Sequence, residues 1–137
     1  MTSEAPTVAR EADGSLAESA GEGVARSIQH HGKEMSYNNY LDADAAYGCA
    51  CDYPTTDPTC VIVKHTNPCG AAALDDALES YRCAVRADPV SAFGGIVAFN
   101  HEVDAAMARE IREFRSPTDG ETRMFYEIVI APSYSAE

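Results

Sequence analysis

The chain has 137 residues, a formal net charge of −12 and 45% hydrophobic residues. This length suits one domain or part of a larger one, and the acidic balance excludes a protein that holds a nucleic-acid backbone through clustered Lys and Arg. No stretch has the length and apolarity of a membrane span and no secretory signal is found, so we expect a cytoplasmic protein with no membrane partner.

Cysteine usage favours reduced thiols. An odd number of cysteines at these spacings matches no disulfide framework. A zinc site is an alternative, although the spacing fits neither zinc fingers nor zinc ribbons. Its ligands would be Cys49, Cys51, Cys60 and His65.

The chain divides into two segments. Residues 1–27 are rich in Ala, Gly, Ser and Glu and predict a flexible acidic arm, while residues 28–137 form the patterned domain. The polar segment 29–39 contains the tandem histidines His30 and His31, which we expect to be solvated unless Lys33 and Asn39 lie near them.

The remaining patterns alternate between helices and strands. A helix over 41–52, opened by Asn39 or Asp42, is followed by a short apolar strand over 60–63 and a loop over 64–70. Further along the chain we predict a helix over 74–87, a loop over 91–95, a strand over 96–99, a helix over 104–114 and a strand over 128–131. This order indicates an α/β fold with a mainly parallel sheet, because strands separated by helices pair in parallel.

Two helices show apolar stripes that we interpret as core faces. The stripes comprise Leu74, Ala77, Leu78, Tyr81 and Val85 in one helix, and Val103, Met107, Ile111 and Phe114 in the other.

Lys64 and His65 end a buried strand side by side, in one of two Gly-bearing loops that we expect at the carboxyl ends of strands. A neutral imidazole accepts a proton and an adjacent ammonium stabilises an oxyanion, so the pair suits acid–base chemistry. The alternatives are an ion pair for Lys64 and a loop-capping role for His65. Cys69 is a nucleophile or, as the simpler interpretation, a small buried thiol.

Four segments together resemble one enzyme family. They read GKEMSYNNYLDADAA at 32–46, CVIVKHTNPCG at 60–70, ADPVSAFGGIVAFN at 87–100 and EIVIAPSYS at 127–135. They resemble the transformylase domain of the bifunctional phosphoribosylaminoimidazolecarboxamide formyltransferase / IMP cyclohydrolase family. The resemblance implies a three-layer α/β/α fold, similar to cytidine deaminases but without a metal.

The resemblance also implies an activity. The family transfers a formyl group from the cosubstrate 10-formyltetrahydrofolate to the ribonucleotide AICAR, giving FAICAR in IMP biosynthesis, and works as a homodimer. His65 matches the proton acceptor of the family, and Lys64 matches the residue that stabilises the charged transition state. The substrate-contacting positions expected from it are Asn39, Asn67, Phe93, Gly94 and Glu127. Without the resemblance, Glu127 reads as a solvated carboxylate at a strand edge.

The chain corresponds to the N-terminal part of such a transformylase domain. The Arg-Tyr-Gly motif of the family is not found before residue 28, and the second part of that domain and the cyclohydrolase domain are not in this sequence. We therefore expect the isolated chain to be inactive. The alternative function is a non-catalytic module that binds a homologous subunit. The segment EFRSPTDGETRMFYE is similar to plant-type and some bacterial versions, so the plastid stroma is an alternative location if the parent protein is plant-like.

Overall fold

The computed structural model describes Val24 and residues 27–136. Most of the predicted arm lies outside the described residues. Val24 is an exception to the prediction, because its side chain is buried in the core beside the first helix.

The elements follow the predicted order, with one additional strand and one short additional helix. The first helix begins four residues earlier than predicted. In chain order the elements are α1 (Tyr37–Cys51), β1 (Thr59–Lys64), β2 (Asn67–Ala73), α2 (Ala77–Ala87), α3 (Pro89–Ala92), β3 (Gly95–Phe99), α4 (Ala105–Glu113) and β4 (Tyr126–Ile130).

The early start of α1 comes from its N-terminal cap. Ser36, rather than Asn39 or Asp42, is the capping residue: its hydroxyl accepts from the backbone N–H of Asn39 at 3.2 Å. The Asn39 side chain accepts in return from the Ser36 backbone N–H at 3.1 Å. This reciprocal capping box satisfies two of the N–H groups that a helix start leaves unpaired.

The four strands form a mixed sheet in the order β2-β1-β3-β4, so the prediction of a mainly parallel sheet is wrong. β1 is antiparallel to both of its neighbours, and only β3 and β4 run parallel. The apolar runs in β1 and β3 correctly predicted burial on both faces, but burial carries no information about strand direction. A two-residue link between β1 and β2 permits only an antiparallel pair.

The three-layer arrangement is confirmed. Val61 and Val63 of β1 pack with α1 on one face of the sheet. Cys60 and Ile62 face the other side, where they pack with α2 and with Met107 of α4. Both predicted stripes lie in this second core, except that Leu74 precedes α2 and is exposed. None of the helices described here has the length and apolarity to cross a membrane.

Candidate functional site

The predicted site residues gather at one edge of the sheet. We expected loop 91–95 to follow a strand, but it precedes β3, so that expectation is wrong. Because β3 runs antiparallel to β1, the start of β3 lies beside the end of β1, where Lys64 is located. The parallel strand β4 starts at the same edge, since Gly95 pairs with Tyr126.

Lys64 connects β1 to the segment that precedes β3. Its Nζ donates a hydrogen bond of 2.9 Å to the backbone oxygen of Phe93. The next N–H, that of Gly94, donates to the oxygen of Phe125 at 2.7 Å, and the rings of Phe93 and Phe125 lie 6.0 Å apart. Gly94 has a φ of 78°, a conformation that favours glycine. Lys64, Phe93 and Gly94 therefore form one connected corner.

His65 lies in a strained turn. His65 and Thr66 form the two-residue link between β1 and β2, with φ values of 54° and 61°. Positive φ at both positions is what a type I′ hairpin requires, and it is usually supplied by Asn-Gly. For residues with a Cβ this conformation costs roughly 1–2 kcal/mol each, and Thr is β-branched. Such strain persists only where surrounding contacts hold it.

Two side chains hold this turn. The Asn67 amide nitrogen donates to the backbone oxygen of His65 at 2.7 Å. From α1, a carboxylate oxygen of Asp42 accepts from the backbone N–H of Thr66 at 2.9 Å. The imidazole of His65 is exposed and makes no hydrogen bond with the residues that the structure describes. The amide of Asn67, predicted as a substrate contact, is thus engaged in supporting the turn.

A cleft of about 530 Å³ opens beside this corner. Of the predicted site residues it contains Asn39 and Glu127, but not Lys64, His65, Asn67, Phe93 or Gly94. Its walls are the segment 29–35, the start of α1, residues 126–129 of β4, and residues 134–135. The predicted residues therefore fall into two groups along the same sheet edge.

The cleft contains residues that the sequence did not identify as functional. His30, His31 and Lys33 line it together with Asn39. The histidines therefore lie near Lys33 and Asn39, which was the condition for a role other than that of solvated surface residues. His30 packs edge-on against Tyr134, with ring centroids 5.6 Å apart. The sequence signal for these residues was the pair of adjacent histidines close to a lysine. Their position in the fold could not be predicted, because a segment without periodicity does not indicate a helix or a strand.

The two ends of the Asn39 amide have different roles. Its oxygen accepts from both the backbone N–H and the hydroxyl of Ser36, at 3.1 and 2.9 Å. Its nitrogen makes no hydrogen bond within the described part of the chain. A ligand in the cleft would therefore meet Asn39 as a donor.

Electrostatics next to Lys64 disfavour a nucleophilic cysteine. Burial, followed by the nearby charge of Asp88, raises the pKa of the Cys69 thiol above its ordinary value, and Lys64 only partly opposes this. The thiolate is the nucleophilic form, so Cys69 fits the simpler interpretation of a partly buried thiol. It donates to the backbone oxygen of Ile62 at 3.5 Å. Hydrogen bonds from Ser91, with a contribution from Lys64, lower the pKa of Asp88.

The alternative zinc site is wrong. Cys60 is fully buried on the α2 side of the sheet, whereas Cys49 packs in the core on the α1 side. His65 and Cys51 are exposed elsewhere, so the four side chains cannot share one ion. Across Val24 and residues 27–136, no group of three or more His, Cys, Asp or Glu side chains is placed to hold a metal.

Comparison with a family model and comparison with curated proteins give concordant results. The family model described as the AICARFT/IMPCHase bienzyme matches residues 11–137, starting within the predicted arm. The bifunctional purine biosynthesis proteins PurH of two Desulfitobacterium hafniense strains, DSM 10664 / DCB-2 and Y51, are each 46% identical to the chain over 114 residues. The alignments cover 83% of this chain but 20% of each relative, so the chain spans about a fifth of the curated relatives it matches.

Proposed function

The chain belongs to the AICARFT/IMPCHase bienzyme family of purine biosynthesis, and from that premise we propose that it supplies the part of the formyl-transfer site that carries Lys64 and His65. One observation carries the proposal. The hydrogen bond from Lys64 to Phe93 joins two segments, CVIVKHTNPCG and SAFGG, that are separate in the sequence but adjacent at the sheet edge.

The proposed reaction transfers the formyl group of 10-formyltetrahydrofolate to the 5-amino group of AICAR in the cytoplasm, and yields FAICAR. The amine nitrogen forms a bond to the formyl carbon, and the bond from that carbon to N10 of the folate breaks. The amine is poorly basic, so its attack needs a base for the departing proton and a cation near the developing oxyanion. The same proton then returns to the N10 leaving group.

We assign the base to His65 and the cation to Lys64. An ammonium has three donors, and one of them is used on the oxygen of Phe93, which leaves two for a ligand. That bond also holds the ammonium in place before substrate binds, which is the condition for efficient oxyanion stabilisation. The exposed imidazole of His65 is free of hydrogen bonds within the described residues and so is available to accept a proton.

We assign nucleotide binding to the neighbouring groups. The Asn39 amide nitrogen donates and the Glu127 carboxylate accepts, so together they suit the polar groups of a ribonucleotide. Lys33 brings a positive charge into the same cleft, where the carboxylates of Glu34 and Glu127 also lie. The half-exposed rings of Phe93 and Phe125 offer an apolar surface for a heterocycle.

Titration calorimetry of AICAR into the full chain tests this proposal. Asn39→Asp keeps the oxygen that accepts from Ser36 in the capping box but replaces the donor, so we expect AICAR to bind about tenfold more weakly. Asn38→Ala, at the exposed neighbouring position of the same helix, is the matched control and should leave the affinity unchanged. His65→Ala should weaken binding less than Asn39→Asp, because a base acts mainly in the transition state. Absence of AICAR binding, or equal losses in Asn38→Ala and Asn39→Asp, would refute the proposal.

A further inference from the structure

Asp42 connects α1 to the turn that carries His65. It follows Asn39 by three residues on α1, so the two side chains are neighbours on one face of the helix. Asn39 faces the cleft, and the Asp42 carboxylate accepts from the backbone N–H of Thr66 at 2.9 Å. One helical turn of α1 therefore contributes Asn39 to the cleft and contacts the turn that carries His65.

The turn needs such a contact. His65 and Thr66 both have left-handed backbones, with φ values of 54° and 61°, although neither is glycine. The other hydrogen bonds to this turn, from the Thr66 hydroxyl and the Asn67 amide, both go to the oxygen of His65 and come from within the hairpin itself. The bond to Asp42 is the described contact that ties the turn to another element, and it spans 24 positions of sequence.

We propose that Asp42 is a positioning residue for His65, whose carboxylate holds the Thr66 N–H and so keeps the turn in the left-handed conformation from which the imidazole projects at the sheet edge. This inference rests on the proposed function in so far as His65 is the base. A bond between a carboxylate and a backbone N–H is stronger than one between neutral groups, which suits it to oppose backbone strain. Loss of the bond would let the turn relax and would move the imidazole.

Nuclear magnetic resonance on the full chain without ligand tests the role of Asp42. In Asp42→Ala we expect the Thr66 amide to exchange with solvent about tenfold faster, and the carbon-bound imidazole resonances of His65 to shift. Asp42→Asn retains an acceptor oxygen and should restore most of the protection. Asp44→Ala is the matched control, since Asp44 is exposed on the same helix and accepts no side-chain hydrogen bond among the described residues.

A merely structural role would give a different pattern. Loss of α1 stability in Asp42→Ala would raise exchange along the whole helix, whereas the proposal predicts a change confined to the turn and to the His65 ring. Unchanged Thr66 exchange in Asp42→Ala, or no rescue by Asp42→Asn, would overturn the inference.

A separate titration with AICAR distinguishes this inference from the proposed function. If the unaltered chain fails to bind AICAR, the proposed function fails, while the ligand-free exchange measurements still decide whether Asp42 holds the turn. If AICAR binds and Asp42→Ala leaves both exchange and affinity unchanged, the positioning role fails and the proposed function stands.

Discussion

Replacing Gly70 by Ala tests how closely β2, the strand that follows the His65 turn, packs on α2. A Cβ at this position would lie 2.0 Å from the backbone oxygen of Ala84, whereas ordinary van der Waals contact starts at 3.4 Å. The obstacle is helix backbone, so no side-chain rotation relieves it. Tyr81 and Val85, which belong to the same helix as Ala84, are fully buried. Because these side chains are packed in the core, α2 cannot move away from β2.

The expected cost follows from this geometry. Overpacking a core by one methyl group costs about 1–3 kcal/mol, and a clash with backbone belongs at or above the upper end of that range. We therefore expect Gly70→Ala to lower the free energy of unfolding by at least about 3 kcal/mol, a large part of the ~5–15 kcal/mol typical of a domain.

The same substitution at Gly48 provides the matched control. Gly48 lies within α1, and a Cβ there would meet no atom within 4 Å. Gly48→Ala should raise the free energy of unfolding by about 0.5–1 kcal/mol, because glycine is a poor helix former.

Urea unfolding of both variants, followed by circular dichroism, measures the difference. The two substitutions should shift the midpoint in opposite directions. An unfolding free energy for Gly70→Ala within about 0.5 kcal/mol of the unaltered chain would refute the packing argument, because ordinary surface substitutions have effects of that size.

Three further predictions concern a helix cap, a partly buried pair of hydroxyl groups and an exposed carboxylate. Ser36→Ala removes the cap of α1 and should lower the free energy of unfolding by about 1 kcal/mol, measured by urea unfolding; no change would contradict the capping box. Tyr126→Phe leaves the hydroxyl of Tyr81 without its hydrogen-bond partner at 2.8 Å and should lower the free energy of unfolding by about 1–3 kcal/mol in the same assay. An unchanged free energy of unfolding would mean that the hydrogen bond between the two hydroxyl groups does not contribute to stability. Hydrogen bonds from Thr122 and Glu121 lower the pKa of Asp119 to about 2, so the stability it contributes is present above its unfolded value of 3.8 and is lost as pH falls through about 2. Thermal melts of Asp119→Ala should therefore lie below those of the unaltered chain at pH 7 and converge with them near pH 2; a constant difference would contradict this.

The sequence predicted the buried strands and the amphipathic helices, but not how the strands pair. The apolar runs at 60–63 and 96–99 indicate burial on both faces of the sheet, and this was confirmed, since alternate residues of each run pack in the two separate cores. Strand direction depends on the link after Lys64, and two residues with positive φ that are not glycine give no recognisable turn signal.

The strand β2 was missed for a related reason. Asn67, Pro68 and Gly70 are residues typical of turns, so their segment was predicted as a loop. In the structure this strand lies at an edge of the sheet and Pro68 sits at a register shift opposite Val63, a place where a strand tolerates proline.

The candidate site was predicted in part. The adjacency of Lys64 and His65 is visible in the sequence, and the contact between Lys64 and Phe93 depends on antiparallel pairing that the sequence did not indicate. The support from Asp42 could not be anticipated, because a hydrogen bond between a helix and a distant turn follows only from their packing. The roles of Lys64 and His65 in formyl transfer remain predictions.

The most direct test of the proposed site is a titration of the full chain with AICAR, monitored through the His65 imidazole and the Asn39 side-chain amide by nuclear magnetic resonance. Both signals should shift and saturate together with a single dissociation constant, because one nucleotide would contact the cleft and the corner next to His65. Shifts confined to residues away from this sheet edge, or no shifts at all, would contradict it.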